Sequence, residues 1–131
     1  FHTGYLKRIV ATNNYSAVTA ACLLVKRTHF DAVNGLNEKD LSVAFNDVDL
    51  CLKVKGLGVN NVYCAEAELF HHESVSRGLD ISPEKAARFN RELAYLQTTW
   101  SRFIANDPAY NPNLTLKREN FSIRSAVELE K

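Results

Sequence analysis

Two acids stand one residue apart in Ala44–Lys53, AFNDVDLCLK, where the pattern indicates the start of a helix. An Asp or Asn at a helix start accepts a hydrogen bond from a free backbone N–H, and the helix dipole stabilises a second acid in the first turn. Asp47 and Asp49 are therefore open to a purely structural interpretation. Because residues two apart do not share a helix face, they do not form a paired-carboxylate dyad. If one of them is catalytic, the other has a different task.

A second group of chemistry-bearing residues lies in Phe70–Gly78, FHHESVSRG. Adjacent residues of a strand point to opposite faces, so at most one of His71 and His72 enters a given site. Arg77 is suited to holding a phosphate, because the guanidinium group matches phosphate geometry. The histidines and cysteines lack the spacing of a zinc site, and the acids lack the Gly and distal Glu of a calcium loop.

Composition excludes some classes of function. The chain has 131 residues, of which 46% are hydrophobic and 24% are charged, as expected for one domain or a piece of a larger one. Sixteen basic and fifteen acidic residues give a formal net charge of +1 and leave no basic face, which argues against binding to nucleic acid. The longest apolar run, Ala17–Val25, is too short to span a bilayer.

The cysteines and the first residue bear on location and completeness. Cys22, Cys51 and Cys64 show no Cys-x-x-Cys spacing and lie in apolar contexts, so we expect reduced cysteines in the core of a cytoplasmic protein. No signal-peptide pattern is seen; we expect a cytoplasmic location, at the inner face of the membrane in one reading. A chain that opens on Phe1 and contains no Met is expected to be an excised segment of a longer protein.

Strands and helices alternate in the pattern, which predicts an α/β architecture. Three strands are predicted, the first with apolar residues on both faces: Ser16–Lys26, Val59–Ala65 and Glu68–His72. Such a sheet is small, so part of it is expected from upstream chain or from another copy.

Three helices are predicted from spacing and capping residues. Thr28 caps a short helix that ends before Gly35, and Leu50, Val54 and Leu57 mark a helix from Val48 to Gly56 or Gly58. The third and longest helix begins at Ser82 and Pro83 and runs to Asn106.

The order of these motifs resembles the C-terminal part of a family 2 glycosyltransferase with the GT-A fold, of the bacterial surface-glycan and O-antigen type. The resemblance rests on five segments: Ala17–Arg27, Phe30 with Gly35–Glu38, Phe45–Lys53, Ala67–Gly78 and Asp107–Leu114. It implies a partial, Rossmann-like GT-A sheet with flanking helices and a long C-terminal helix, incomplete without the upstream half. Residues 1–82 would form the acceptor-side half of the catalytic domain, and residues 83–131 a C-terminal helix and tail packed on it.

The resemblance also implies an activity and roles for residues. A sugar would pass from a nucleotide-sugar donor to a hydroxyl of a glycan acceptor, with inversion at the anomeric carbon. Asp47 matches the general base, and Asn46 and Asp49 would shape the site or contact the acceptor. His71 matches a ligand of a divalent metal, Mg²⁺ or Mn²⁺, that is present in the complete enzyme and not expected on this fragment. Arg77 would contact the diphosphate.

Other functions are left open by the residues. The long helix and the tail could form a non-catalytic interaction or oligomerisation module, because an incomplete sheet edge favours pairing, including with another copy. A metal-dependent hydrolase that uses His71, His72 and Asp47 is a weaker alternative, since the spacing of these ligands is not a recognised one. Without a donor-binding half, the isolated chain is expected to be inactive.

Overall fold

The computed structural model describes residues 3–70 and 82–129. Two short strands, five helices and two 3-10 segments are formed there. The strands are β1 (Asn13–Tyr15) and β2 (Asn61–Tyr63); the helices are α1 (Arg27–Ala32), α2 (Asn46–Lys55), α3 (Pro83–Thr99), α4 (Ser101–Ala105) and α5 (Ala126–Leu129); the 3-10 segments are Tyr5–Val10 and Ala20–Cys22.

Helix α2 forms the centre of the core. The buried apolar side chains lie mostly on this helix, joined by one from the loop before it and one from α3: Leu41, Leu50, Cys51, Leu52, Val54 and Leu96. Gly56 follows the last turn, as predicted, and Lys53 and Lys55 place positive charge at the negative end of the helix dipole. The helix begins at Asn46, two residues before the position that the pattern predicts.

The sheet consists of β1 and β2, which pair antiparallel with Asn14 opposite Val62. The predicted strand at Val59–Ala65 is thus confirmed in its central residues. The fold of the described residues is a mixture of helices with this small sheet, which is compatible with a fragment of an α/β domain.

The prediction of a central strand at Ser16–Lys26 is wrong. Thr19 accepts a hydrogen bond from the Ala21 amide at 3.3 Å, which starts the 3-10 segment and turns the chain away from an extended path. Leu24 is 99% exposed, so the apolar pattern there does not report burial within the described part of the chain. An apolar run predicts a strand that is covered on both faces, but such a strand forms only where neighbouring strands are present to pair with it.

Three smaller predictions also need correction. Helix α1 begins one residue before Thr28, with Lys26 at the cap position, and an ion pair between Arg27 and Asp31 at 2.9 Å spans its turns. Residues 68–70 form no strand, and His71 and His72 lie outside the described residues. The cysteines are unpaired but only Cys51 of them is in the core, because the other two are exposed.

Helix α3 begins as its sequence predicts. The Ser82 hydroxyl accepts a hydrogen bond from the Lys85 amide at 3.3 Å, and Pro83 occupies the first turn. The helical path is interrupted at Trp100, where φ is −111° and ψ is 23°, and α4 continues as a separate short helix. The single long helix expected up to Asn106 is therefore two helices, with the tryptophan at their junction.

The C-terminal segment folds back on itself and on the N-terminal segment. Leu114 and Ile123 form an isolated antiparallel bridge, and the Phe121 ring stacks on Tyr5 with centroids 4.6 Å apart. Glu128 accepts hydrogen bonds from the Thr115 hydroxyl and from the Ser125 amide at the start of α5, and its own amide donates to the Ser125 carbonyl.

These contacts predict an unusual titration of Glu128. The Thr115 hydroxyl, and after it the Ser125 amide, lower the pKa of the Glu128 carboxyl to about 2 from its ordinary value of 4.5. Because the folded pKa is depressed, the contribution of this carboxylate to stability is present above pH 4.5 and is lost as the pH falls towards 2. We expect carboxyl NMR titration to give a midpoint well below 4.5, and Thr115→Val to raise it. A midpoint that Thr115→Val leaves unchanged would contradict the assignment of the cause.

Candidate active site

Asp47 lies in the first turn of α2 and is half-buried. Its Oδ2 atom accepts a hydrogen bond from the Ala20 amide at 3.0 Å, and its Oδ1 atom accepts one from the Val48 amide at 2.8 Å. The carboxylate therefore joins the start of α2 to the 3-10 segment Ala20–Cys22. Each ionised carboxylate oxygen has further acceptor capacity, so this fixed group can still take a proton from a ligand.

Asp49, two residues later, has different surroundings. It is 2% exposed, its Oδ1 atom accepts the indole N–H of Trp100 at 2.9 Å, and Lys53 Nζ lies 3.1 Å from Oδ2. A buried charge is tolerated when it is paired and hydrogen-bonded. The Oδ1 atom is hydrogen-bonded and the Oδ2 atom is ion-paired with Lys53, but Oδ2 accepts no hydrogen bond from the described residues. The hydrogen bond from Trp100 to Asp49 therefore connects α2 to the end of α3.

The start of α2 is not capped by the side chain of Asn or Asp. The cap residue is Phe45, in the left-handed conformation with φ 62°, and no side-chain hydrogen bond caps the helix there. Asn46 is the first residue of the helix and is half-buried. The prediction that an Asn or Asp occupies the cap position is therefore wrong for this helix, because the chain enters α2 through a left-handed turn at Phe45. The structural interpretation holds in part, since both acids lie in the first turn and Asp47 accepts the free Val48 amide there.

Glu92 is a buried carboxylate that holds the loop before α2. It is 3% exposed; its Oε1 atom accepts the Ser42 hydroxyl at 2.8 Å and the Val43 amide at 3.2 Å, and its Oε2 atom accepts the Ala44 amide at 2.7 Å. Sequence reasoning missed this residue. A signal was present, since Glu92 lies three residues after Phe89 and four before Leu96, on the apolar stripe of α3.

The protonation of Glu92 follows from these contacts. Burial alone would raise its pKa, but the hydrogen bonds from Ala44, Ser42 and Val43, together with the charge of Arg88, hold the pKa below the usual 4.5. The carboxylate form is thus the one that binds the loop at neutral pH. Its contribution to stability is lost as the pH falls below 4.5 and through the lowered value.

Cys51 lies beside Asp47 and is not arranged as a nucleophile. Burial raises the pKa of the Cys51 thiol, the negative charge of Asp47 raises it further, and a hydrogen bond to the Val18 carbonyl at 3.6 Å only partly offsets them. Because the thiolate is the reactive form, this side chain is an inert part of the core at neutral pH.

Two grooves mark the surface around these elements. The smaller has a volume of about 390 Å³ and is lined by apolar residues next to the Asp47 helix, including Val18, Cys51 and Val54. The larger, of about 850 Å³, is lined by Ile9, Tyr63 and other residues up to 70, and Asp47 is not part of its lining. Asp47 lines neither groove, although Leu50, Cys51 and Val54 of the same helix line the smaller one.

Three predicted site residues lie outside the described residues: His71, His72 and Arg77. Their placement relative to Asp47 stays a prediction. Within residues 3–70 and 82–129, no three His, Cys, Asp or Glu side chains are grouped so that they could hold a metal ion. Among the helices of that same part of the chain, none combines the length and the apolar character that crossing a membrane requires.

Comparison with known proteins finds relatives that are much longer than this chain. It is 57% identical over 124 residues to the uncharacterized protein y4gI of Sinorhizobium fredii, across 95% of this chain and 14% of that protein. It is 35% identical over 117 residues to the O-antigen biosynthesis protein RfbC of Myxococcus xanthus, across 89% of this chain and 9% of RfbC.

A third relative carries the name of a transferase. The chain is 33% identical over 79 residues to the N-acetylglucosaminyl-diphospho-decaprenol L-rhamnosyltransferase of Mycobacterium tuberculosis, across 60% of this chain and 25% of that enzyme. No protein-family model and no solved structure matches the chain. The chain is thus related to glycosyltransferase-type proteins and spans a quarter or less of the length of these relatives.

The surroundings of the two aspartates predict effects on stability that differ in size. We expect Asp49→Ala to lower the free energy of unfolding by about 3 kcal/mol, because it leaves the Trp100 N–H and the Lys53 charge without their buried partner. Asp47→Asn replaces one of its two acceptor oxygens by an NH₂ group, but it should lower the free energy of unfolding by only about 1 kcal/mol, because the Ala20 amide is exposed and can bond to water instead. Urea unfolding of both variants measures the difference. Equal losses would show that both carboxylates are structural.

Proposed function

We propose that this chain is the acceptor-side part of an inverting, family 2 glycosyltransferase with the GT-A fold. In this proposal the longer protein moves a sugar from a nucleotide-sugar donor to a hydroxyl of a surface-glycan acceptor. The donor-binding half belongs to another part of that protein. The proposal is supported by the relatives in O-antigen biosynthesis and rhamnosyl transfer, each of which is more than about twice as long as the chain.

Asp47 is the general base in the proposed reaction. Its carboxylate takes the proton of the acceptor hydroxyl while the hydroxyl oxygen forms a bond to the anomeric carbon of the donor sugar. The bond from that carbon to the diphosphate oxygen breaks, and the nucleoside diphosphate leaves with the bonding electrons. Attack on the face opposite the leaving group inverts the anomeric configuration. Proton transfer by a positioned side chain contributes about 10²–10⁴-fold to such reactions.

The observation that carries the proposal is the way in which Asp47 is held. The Ala20 and Val48 amides fix its two oxygens, while the group stays half-buried and not enclosed. A general base needs this combination of fixed orientation and access. Asp49 lacks the access, because its oxygens face Trp100 and Lys53. In the proposal, Asp49 anchors α2 and Asn46 shapes the site at the helix start.

The proposal includes a divalent metal, Mg²⁺ or Mn²⁺, in the complete enzyme. Such an ion would supply charge stabilisation for the leaving diphosphate. The resemblance nominates His71 as one ligand, and the guanidinium chemistry of Arg77 suits the same diphosphate. Both residues lie outside the described part of the chain, and the carboxylate of Asp49 is already engaged by Trp100. Among the described residues, the proposed proton transfer therefore involves Asp47 alone.

Removing the proposed base tests the function in the longer protein. We expect Asp47→Asn to lower the rate of sugar transfer by about 10²–10⁴-fold, because the variant keeps the shape of the side chain but does not accept the proton. The measurement is transfer from nucleotide-sugar donors to glycan acceptors, followed by release of nucleoside diphosphate. Asp31→Asn, at an exposed position in α1, is the matched control and should retain the wild-type rate. Retained activity in Asp47→Asn would remove Asp47 from the mechanism.

A non-catalytic interaction module is the second candidate, and exposed apolar side chains favour it. Leu24 is 99% exposed and Phe70 is 96% exposed, and large apolar groups in water often mark contact surfaces.

Sedimentation equilibrium of the chain separates the two candidates. For an acceptor-side part of an enzyme we expect a mass of 14.7 kDa that does not depend on concentration. A mass that rises to that of a dimer in the micromolar range, and falls back in Leu24→Ser, would favour the interaction module.

A further inference from the structure

Glu92 is a buried charged group that the proposed chemistry does not use. It lies on α3, and its three hydrogen-bond donors, Ser42, Val43 and Ala44, are consecutive residues of another segment. A carboxylate whose only hydrogen-bond donors are water or a lysine would have no effect on the path of the main chain. One that accepts two successive backbone amides instead fixes the path of the main chain.

We propose that Glu92 is a positioning residue for Asp47: by holding the Ser42 hydroxyl and the backbone amides of Val43 and Ala44, it sets the left-handed turn at Phe45 and with it the start of α2. This inference rests on the proposed function of Asp47 as the base. Nothing in the chemistry of Glu92 requires it to touch a substrate, and its role is exerted through the main chain.

The backbone at Phe45 is strained. A bulky residue with φ 62° adopts a conformation that L-residues rarely occupy, and it persists only when its surroundings determine it. Helix α3 supplies those surroundings from two neighbouring turns. The Phe89 ring contacts the Phe45 ring with centroids 5.3 Å apart, and Glu92 holds the Ala44 amide immediately before the turn.

The main chain connects the turn at Phe45 to Asp47. The Phe45 carbonyl accepts the Asp49 amide at 3.0 Å, which is the first hydrogen bond of α2. The turn at Phe45 therefore fixes the direction in which the first helical turn, and the carboxylate of Asp47 within it, leaves the loop. The Ala20 amide then meets that carboxylate at 3.0 Å, across a gap of 27 residues in the sequence. Relaxation of the turn would alter this distance.

Glu92→Gln tests the proposal in the longer protein. The Gln amide keeps one acceptor oxygen and replaces the other by an NH₂ group, which cannot accept a hydrogen bond. Part of the hydrogen bonding to residues 42–44 is therefore lost. We expect kcat to fall about 10–100-fold, as for a small misplacement of a reacting group. The KM values for the donor and for the acceptor should stay within roughly twofold of wild type. Glu92→Asp keeps both acceptor oxygens on a stem one methylene shorter, and it should recover part of kcat. Unchanged kcat in Glu92→Gln overturns the proposal.

A control variant separates positioning from loss of stability. Leu96→Val lies one turn further along α3 and is buried in the core, so it weakens the packing of the same helix while leaving the Glu92 hydrogen bonds in place. We expect it to keep a kcat within roughly twofold of wild type at a comparable loss of stability. An equal fall in kcat in both variants would show that Glu92 acts through stability alone. If Glu92→Gln does not fold, Ser42→Ala removes one donor at an exposed position, with a smaller effect of the same sign.

A second measurement keeps this inference separate from the proposed function. In amide NMR spectra of the chain, Glu92→Gln should shift the resonances of Ala44 and also that of Ala20, which reports on the Asp47 carboxylate and lies far from α3 in sequence. Leu96→Val should leave Ala20 in place. A change confined to residues 42–44 would overturn the positioning role. If Asp47→Asn retains activity, the proposed function fails, and the Ala20 resonance alone decides whether Glu92 positions Asp47.

Discussion

Glu92 and Asp49 are two buried carboxylates on different helices, and each accepts hydrogen bonds from a segment outside its own helix. Glu92 on α3 accepts hydrogen bonds from the loop that leads into α2. Asp49 on α2 accepts a hydrogen bond from the indole N–H of Trp100 at the end of α3. A buried carboxylate without hydrogen-bond donors costs several kcal/mol, so loss of either set of hydrogen bonds lowers the free energy of unfolding substantially. Together they connect α3 and its end to the segment from Ser42 to Asp49 at two points.

These two connections determine what surrounds Asp47. With α2 fixed by the loop before it and by Asp49 in its first turn, Asp47 meets the 3-10 segment at Ala20. The apolar side chains beneath, Cys51 among them, close the core under the carboxylate. The two aspartates are thus separated by the structure into one group that is enclosed and one that remains accessible. Two residues of spacing on a helix are sufficient for this separation, since they point to different sides.

Local patterns predicted the elements whose determinants are local. Ser82 and Pro83 start α3 as expected, and Gly56 ends α2, because caps depend on neighbouring residues only. The strand predicted at Ser16–Lys26 is not formed, because an apolar run shows only that its side chains favour burial. It does not show which other segments of the chain would cover them. The left-handed Phe45 and the role of Glu92 arise from contacts between segments about fifty residues apart, which no local window contains. The placement of His71 and Arg77 stays a prediction.

The indole of Trp100 has one more consequence. It is the single tryptophan of the chain, and it is bonded to a carboxylate in the core at the point where α3 ends. Its fluorescence therefore comes from one known position, and its emission reports directly on the docking of the two helices. The protein carries a built-in optical probe beside its candidate catalytic helix, so that separation of α3 from α2 can be followed without a label.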